Sequence, residues 1–155
     1  MGQAAEPLND DLSDLYEADL YAWALANADR LRAGRITQID AVHIAEELED
    51  MGKSERRALA SHLRVLMQHL LNWQYQPKRR GTSWQLSILN ARGEIEEILH
   101  DSPSLARQLP GLIARGYPAA REAAALETRL ALSVLPELCP FTPDQLRDRD
   151  FFPDS

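Results

Sequence analysis

Residues 44–76 read IAEELEDMGKSERRALASHLRVLMQHLLNWQYQ, and their apolar positions indicate helices. In the second part of this stretch, large apolar residues recur at alternating steps of four and three, which places them on one helical face. They are Leu59, Leu63, Leu66, Leu70 and Trp73. Other apolar residues lie on the neighbouring faces, so this helix needs partners on several sides. We therefore predict that it is the central member of a helical bundle.

A glycine divides this stretch. Gly52 stands where the first periodic pattern ends, and glycine is common just after the end of a helix. The sequence therefore predicts a helix over 41–51 with Asp40 as its N-cap. A tight corner at Met51 and Gly52 follows, and the long central helix then runs from about residue 54 to 76.

Helical spacing is the dominant pattern in the rest of the chain, and no stretch indicates a β-strand or an internal repeat. Gly34 predicts the end of the helix that precedes it. Gly116 and Pro118 predict a kink or a break in the helix that contains them. We predict an all-α fold, a single-domain bundle of five or six helices over 14–152 around the long central helix. Residues 1–13 are expected to be disordered or frayed.

Composition places the chain among ordinary globular proteins. At 155 residues with 45% hydrophobic and 26% charged residues, it can bury a core without a metal or a disulfide. It has one cysteine, Cys139, and it lacks an apolar run long enough to span a membrane. Its first residues do not have the pattern of a signal peptide. These features predict a cytoplasmic protein with no membrane partner.

The net charge of −7 is distributed unevenly. Residues 53–80 contain seven basic residues and one acid, a local charge of +6 in an acidic protein. The overall acidity argues against general nucleic-acid binding, which needs a strong positive field. A local basic surface can still bind an acidic protein or a phosphate-bearing partner. The candidate partner-binding residues are Arg56, Arg57, Lys78, Arg79 and Arg80.

Histidines and carboxylates suggest possible metal ligands. His43 and Glu47 are four residues apart, Glu97 and His100 three, and His62 and His69 seven, all spacings that share a helical face. Each pattern alone more readily indicates a solvated or packed side chain, and a di-iron site would need the Glu-x-x-His motif twice.

The metal ligands that we predict are His69, Glu46 and Glu47. Because the predicted corner separates these residues along two helices, carboxylates from the first helix, Glu17 and Asp19, are further candidates beside His69. A metal ion is the one cofactor that the sequence suggests. No Ser, Cys or Thr stands in a recognisable nucleophile motif, and there is no glycine-rich phosphate loop, so an enzyme is the less favoured interpretation.

Several short motifs occur in a fixed order: LYExDxYxW from residue 15, EELEDMGKSER from 46, HLLxWQYQP from 69, DSPSL from 101 and CPFT from 139. Together they resemble the bacterial family called domain of unknown function 29, over almost the whole chain. The resemblance implies a small helical protein with no established activity. It also draws attention to the motif residues Glu46, Glu47, Glu49, His69, Trp73, Tyr75 and Pro77.

Two functional hypotheses follow. The first is a non-enzymatic interaction or regulatory module whose basic face docks an acidic or phosphate-bearing partner, with self-association also compatible. The alternative is a helical bundle that binds a metal ion or a small ligand through His69 and nearby carboxylates, because bundles place such sites between facing helices.

Overall fold

The computed structural model describes residues 9–154, with side chains from Leu12 onward. In these residues there are six α-helices and no β-strand, which confirms the predicted all-α fold. The helices are α1 (Asn9–Ala18), α2 (Leu20–Arg32), α3 (Ala41–Tyr75), α4 (Thr82–Asp101), α5 (Leu109–Thr128) and α6 (Pro143–Arg147). The predicted frayed segment 1–13 falls largely on residues 1–8, which lie outside the described residues.

The chain divides into two compact units, residues 1–52 and 53–155, and their boundary falls within α3. We call them the first unit and the second unit and describe each by itself. A single domain over 14–152 stays a prediction.

Helix α3 is continuous, so the predicted corner at Met51 and Gly52 is wrong. Gly52 lies inside the helix, and Gly34 is the one glycine of the described chain with a positive φ, 74°. A glycine inside a helix costs roughly 1 kcal/mol relative to alanine, which a helix of 35 residues readily offsets. The residues after Gly52 include Lys53, Glu55 and Arg56, which favour helix.

Replacing Gly52 with alanine is expected to raise the free energy of unfolding by about 0.5 to 1 kcal/mol, because alanine loses less backbone entropy on folding. An added Cβ at this position meets no atom within 4 Å. Urea denaturation measures the change. Gly34→Ala is the matched control and should destabilise, since its φ of 74° disfavours a side chain. A destabilised Gly52→Ala protein would contradict a continuous α3.

The first unit is held by a small core around Trp23, whose side chain is 4% exposed. The ring of Tyr16 on α1 meets the Trp23 ring edge-on, with 5.0 Å between ring centres. Asp19 caps α2 by accepting a hydrogen bond from the Ala22 amide at 3.0 Å. Gly34 follows α2 in the left-handed conformation, as the sequence predicts for a helix end.

The second unit contains the main hydrophobic core, and the predicted leucine stripe of α3 lies in it. Leu59, Leu66 and Leu70 are fully buried, and Leu63 is 1% exposed. They share the core with apolar residues of α4 and α5, among them Ile88, Ile95, Leu112, Tyr117 and Ala124. Burial on this scale confirms that the second part of α3 is central to its unit.

The sequence predicted a kink or a break at Gly116 and Pro118. A break does not occur, because α5 is helical from Leu109 to Thr128, and a kink stays a prediction. Pro118 removes one backbone hydrogen bond from this helix. Packing on both sides compensates, since Tyr117 is 2% exposed and Ala120 is fully buried. Tertiary contacts thus override the local signal.

A buried arginine fixes the short helix α6. Arg92 on α4 is 1% exposed. Its Nε donates a hydrogen bond to the Leu146 carbonyl at 2.9 Å and its Nη2 to the Gln145 carbonyl at 3.0 Å. Its guanidinium also lies over the Phe152 ring, 5.7 Å from the ring centre. One side chain therefore connects α4 to the carboxyl-terminal segment.

Candidate functional site

A polar cluster lies in the second unit where α3 ends, α4 begins and α5 ends. At its centre is the carboxylate of Glu127, which accepts three hydrogen bonds. Gln68 Nε2 and Asn72 Nδ2 donate to Oε2 at 2.8 and 2.7 Å, and Trp84 Nε1 donates to Oε1 at 3.1 Å. The three donors come from α3 and α4, so Glu127 joins three helices.

Burial raises the pKa of Glu127, but the hydrogen bonds from Asn72, Gln68 and Trp84 outweigh it and hold the pKa below its ordinary value of 4.5. The electrostatic influence of His69 acts in the same direction. The carboxylate therefore stays ionised at neutral pH, and both of its oxygens are engaged within the unit.

This pKa makes the second unit sensitive to acid. A carboxyl with a lower pKa in the folded state contributes stability above its unfolded pKa, and this contribution is lost as the pH falls through the folded value. We expect the free energy of unfolding to decrease below about pH 4.5. Glu127→Gln should reduce that decrease, whereas Glu122→Gln, an exposed change on the same helix, should not. If the free energy of unfolding decreased equally with pH in the unmodified protein and in both variants, this role of Glu127 would be contradicted.

Next to this cluster is the basic turn, which we define as Lys78, Arg79 and Arg80. Arg79 Nη1 donates to the Glu127 carbonyl at 2.9 Å, and its guanidinium lies 5.5 Å from the Trp84 ring centre. Arg80 Nε donates to the Trp73 carbonyl at 2.7 Å, and its guanidinium lies 5.2 Å from the Trp73 ring centre. Both carbonyls belong to the last turn of a helix, where carbonyls lack helical partners. The two arginines therefore satisfy the ends of α3 and α5.

A family model described as domain of unknown function DUF29 matches residues 15–152, nearly the whole chain. The chain belongs to the DUF29 family. Comparisons with curated proteins and with solved structures found no match. The described helices of this DUF29 protein include none that is long and apolar enough to cross a membrane.

The DUF29 chain contains a second polar cluster, in the first unit. Asp40 is 7% exposed, and its Oδ2 accepts hydrogen bonds from Trp23 Nε1 at 3.0 Å and from His43 Nδ1 at 2.7 Å. Burial raises the pKa of Asp40, but the bonds from Trp23 and His43 outweigh it and lower the pKa. Asn27 Oδ1 accepts from the Asp40 amide at 2.8 Å. Besides its predicted position as an N-cap, Asp40 therefore accepts hydrogen bonds from the side chains of Trp23 and His43.

Glu47, a predicted metal ligand, takes part in the packing of the first unit. Its Oε1 accepts a hydrogen bond from the Tyr16 hydroxyl at 2.6 Å. This bond, with burial and the charges of Glu47, Glu46 and Asp50, raises the pKa of Tyr16 to about 12. The Tyr16 ring stacks on His43 at 4.1 Å between ring centres. Glu46 is exposed on the same helix.

His69, the third predicted metal ligand, lies in the second unit. Its Nδ1 is 2.8 Å from the Val65 carbonyl oxygen and donates to it. The carboxylate whose pKa responds to His69 is Glu127, whereas the predicted Glu17, Asp19, Glu46 and Glu47 all belong to the first unit. Within residues 9–154, no group of three or more His, Cys, Asp or Glu side chains is placed to bind one metal ion. The metal site at His69, Glu46 and Glu47 stays a prediction, which elemental analysis of the purified protein would check.

The predicted partner-binding residues form two separate groups within the second unit. Arg56, whose Nε donates to Gln108 Oε1 at 2.6 Å, and the exposed Arg57 lie near the start of the unit. The basic turn follows the end of α3 at Tyr75, which is 18 residues beyond Arg57. At 1.5 Å per residue this separation is about 27 Å, too far for one small ligand to bridge.

Three residues that organise these clusters were missed by sequence reasoning: Glu127, Asn72 and Arg92. Their partners lie more than 40 residues away along the chain. One signal was available, because Asn72 interrupts an apolar stretch of α3 and is fully buried. A polar residue among buried leucines needs a polar partner.

Proposed function

We propose that this DUF29 protein is a non-enzymatic interaction or regulatory module, and that the basic turn of its second unit binds an acidic or phosphate-bearing partner. One observation carries the proposal: the guanidinium of Arg79 is held by a carbonyl and an indole ring on an exposed turn. A guanidinium has five N–H donors, and the bond to Glu127 uses one of them. The remaining donors are arranged in advance, which lowers the entropy cost of binding an anion.

Local charge supports this proposal. Residues 76–83 contain three basic side chains and no acid. Neither Lys78 nor Arg79 forms an ion pair with a carboxylate of the described residues. Their positive charges therefore act on the solvent side, where they attract an anion through a few ångströms of water.

The carboxylate of Glu127 and the thiol of Cys139 are poorly suited to catalysis, which supports a non-enzymatic module. Both carboxylate oxygens of Glu127 accept hydrogen bonds from within the unit. Burial raises the pKa of the Cys139 thiol, which disfavours the nucleophilic thiolate form. The proposal places the protein in the bacterial cytoplasm, where such a cysteine stays reduced.

An NMR titration of the ¹⁵N-labelled protein tests the proposal, with two probes: inorganic phosphate and a decaglutamate peptide. We expect amide shifts concentrated at residues 77–84, with binding that weakens as salt is raised. Lys78→Glu should weaken binding about 5- to 10-fold, because one reversed charge contact is worth roughly 1 kcal/mol.

The matched control is Arg57→Glu, the same charge reversal at an exposed position near the other end of the unit. It should bind both probes as the unmodified protein does. If both variants weakened probe binding equally, the effect would depend on net charge alone, which would contradict a site at the basic turn. Shifts absent from residues 77–84 would also contradict it.

A further inference from the structure

The first unit leaves most of its large apolar side chains in solvent. Among its described residues, the buried hydrophobic ones are Leu12 and Trp23. Eight others are between 41% and 75% exposed: Leu20, Tyr21, Leu25, Leu31, Ile36, Val42, Leu48 and Met51. Where such side chains lie next to one another, the exposed apolar surface marks an interaction site.

Part of this surface is a ridge on the first three turns of α3. Val42, Leu48 and Met51 are 68%, 61% and 65% exposed, and the exposed Ala45 completes a series with steps of three residues. We call Val42, Ala45, Leu48 and Met51 the α3 ridge. Side chains three apart form a row that turns by about 60° around the helix at each step, so neighbouring members such as Leu48 and Met51 can pack together into the groove of another helix.

The charge around the ridge selects its partner. Residues 41–52 include four acids, Glu46, Glu47, Glu49 and Asp50, and no Lys or Arg. Helix α2, which also exposes apolar residues, has one acid and two arginines. Of these two helices of the first unit, α3 is therefore the one on which exposed apolar surface coincides with a strongly negative charge.

We propose that the α3 ridge binds an amphipathic helix of another protein, one whose apolar stripe is flanked by Lys and Arg. Apolar contact with Leu48 and Met51 would supply affinity, and the acids beside the ridge would select positive charge. Residues 9–52 contain eleven acids and three arginines, so a second copy of this face would be repelled. This surface lies in the other unit from the basic turn and has the opposite charge, so it goes beyond the function proposed above.

Two synthetic peptides test this proposal. The first is an 18-residue amphipathic helix of leucine and lysine, and the second replaces every lysine with glutamate while keeping the leucines. We expect the lysine peptide to bind, with NMR shifts at residues 42–51, and the glutamate peptide not to bind. Equal binding of both peptides, or shifts outside the first unit, would overturn the proposal.

Surface variants locate the site. Leu48→Ser and Met51→Ser together should weaken binding of the lysine peptide at least tenfold, and Glu46→Gln with Asp50→Asn about threefold. The control Leu126→Ser, at a residue of α5 that is 83% exposed, should leave binding unchanged. Lys78→Glu should leave it unchanged as well, which separates this surface from the basic turn.

Circular dichroism confirms that each variant is folded, and Leu48→Ser alone serves if Met51→Ser reduces helix content. Sedimentation reports the oligomeric state. Dimers that dissociate on Leu48→Ser would show that a second copy occupies the ridge and would overturn the proposed partner. Unchanged peptide affinity in the serine variants would overturn the ridge itself.

Discussion

Replacing Arg92 with alanine is expected to lower the free energy of unfolding by about 3 to 5 kcal/mol. The guanidinium is the partner of two main-chain carbonyls, those of Leu146 and Gln145. A hydrogen bond to a charged group contributes about 1.5 to 3 kcal/mol, and the buried carbonyls would lose their partners. Chemical denaturation followed by circular dichroism measures the loss.

The carboxyl-terminal segment should respond first to this change, because Arg92 connects it to α4. Hydrogen exchange is expected to accelerate at residues 143–147 before it does in α3. Arg149→Ala removes the same kind of side chain from an exposed position and is expected to change stability by less than about 0.5 kcal/mol. Similar losses for the two variants would show that Arg92 does not anchor α6.

Replacing Leu66 with alanine should cost about 2 to 5 kcal/mol, which is the range for a fully buried leucine whose loss leaves a cavity. Leu66 is 0% exposed and lies in the main core of the second unit. Its matched control is Leu126→Ala, which shortens a leucine that is 83% exposed. We expect that control to change stability by less than about 0.5 kcal/mol. A loss below 1 kcal/mol at Leu66 would place the core elsewhere.

The sequence was most informative about α3, because apolar residues that recur with helical spacing are also the residues that become buried. Leu59, Leu63 and Leu66 were assigned to the core from their spacing, and all three are buried there. Spacing works well here because a helix presents every third or fourth residue to the same neighbours. The all-α fold followed from the same periodicity.

Glycine and proline signals were less reliable inside long helices. Gly52 predicted a corner and Pro118 a kink or a break, yet α3 and α5 stay helical through both positions. Each residue costs a helix only a few kcal/mol, and packing of the surrounding turns can exceed that cost. At Gly34, where α2 has no such continuation, the same signal correctly predicted the helix end.

The candidate site was predicted only in part, for a physical reason. Arg79 and Arg80 stood out by composition, but their carbonyl partners and Glu127 could not be identified from local pattern. Glu127 meets Asn72 across 55 residues of chain and Trp84 across 43. Contacts at such separations depend on how helices pack, which periodicity does not specify.

The three tryptophans of the chain lie in different surroundings, and this gives the protein built-in optical reporters. Trp23 donates to the Asp40 carboxylate in the first unit, whereas Trp73 and Trp84 lie beneath arginines in the second. A variant with Trp73→Phe and Trp84→Phe would leave tryptophan fluorescence from the first unit alone. Its emission during denaturation would then report when that unit unfolds, independently of the signal from the large helical core.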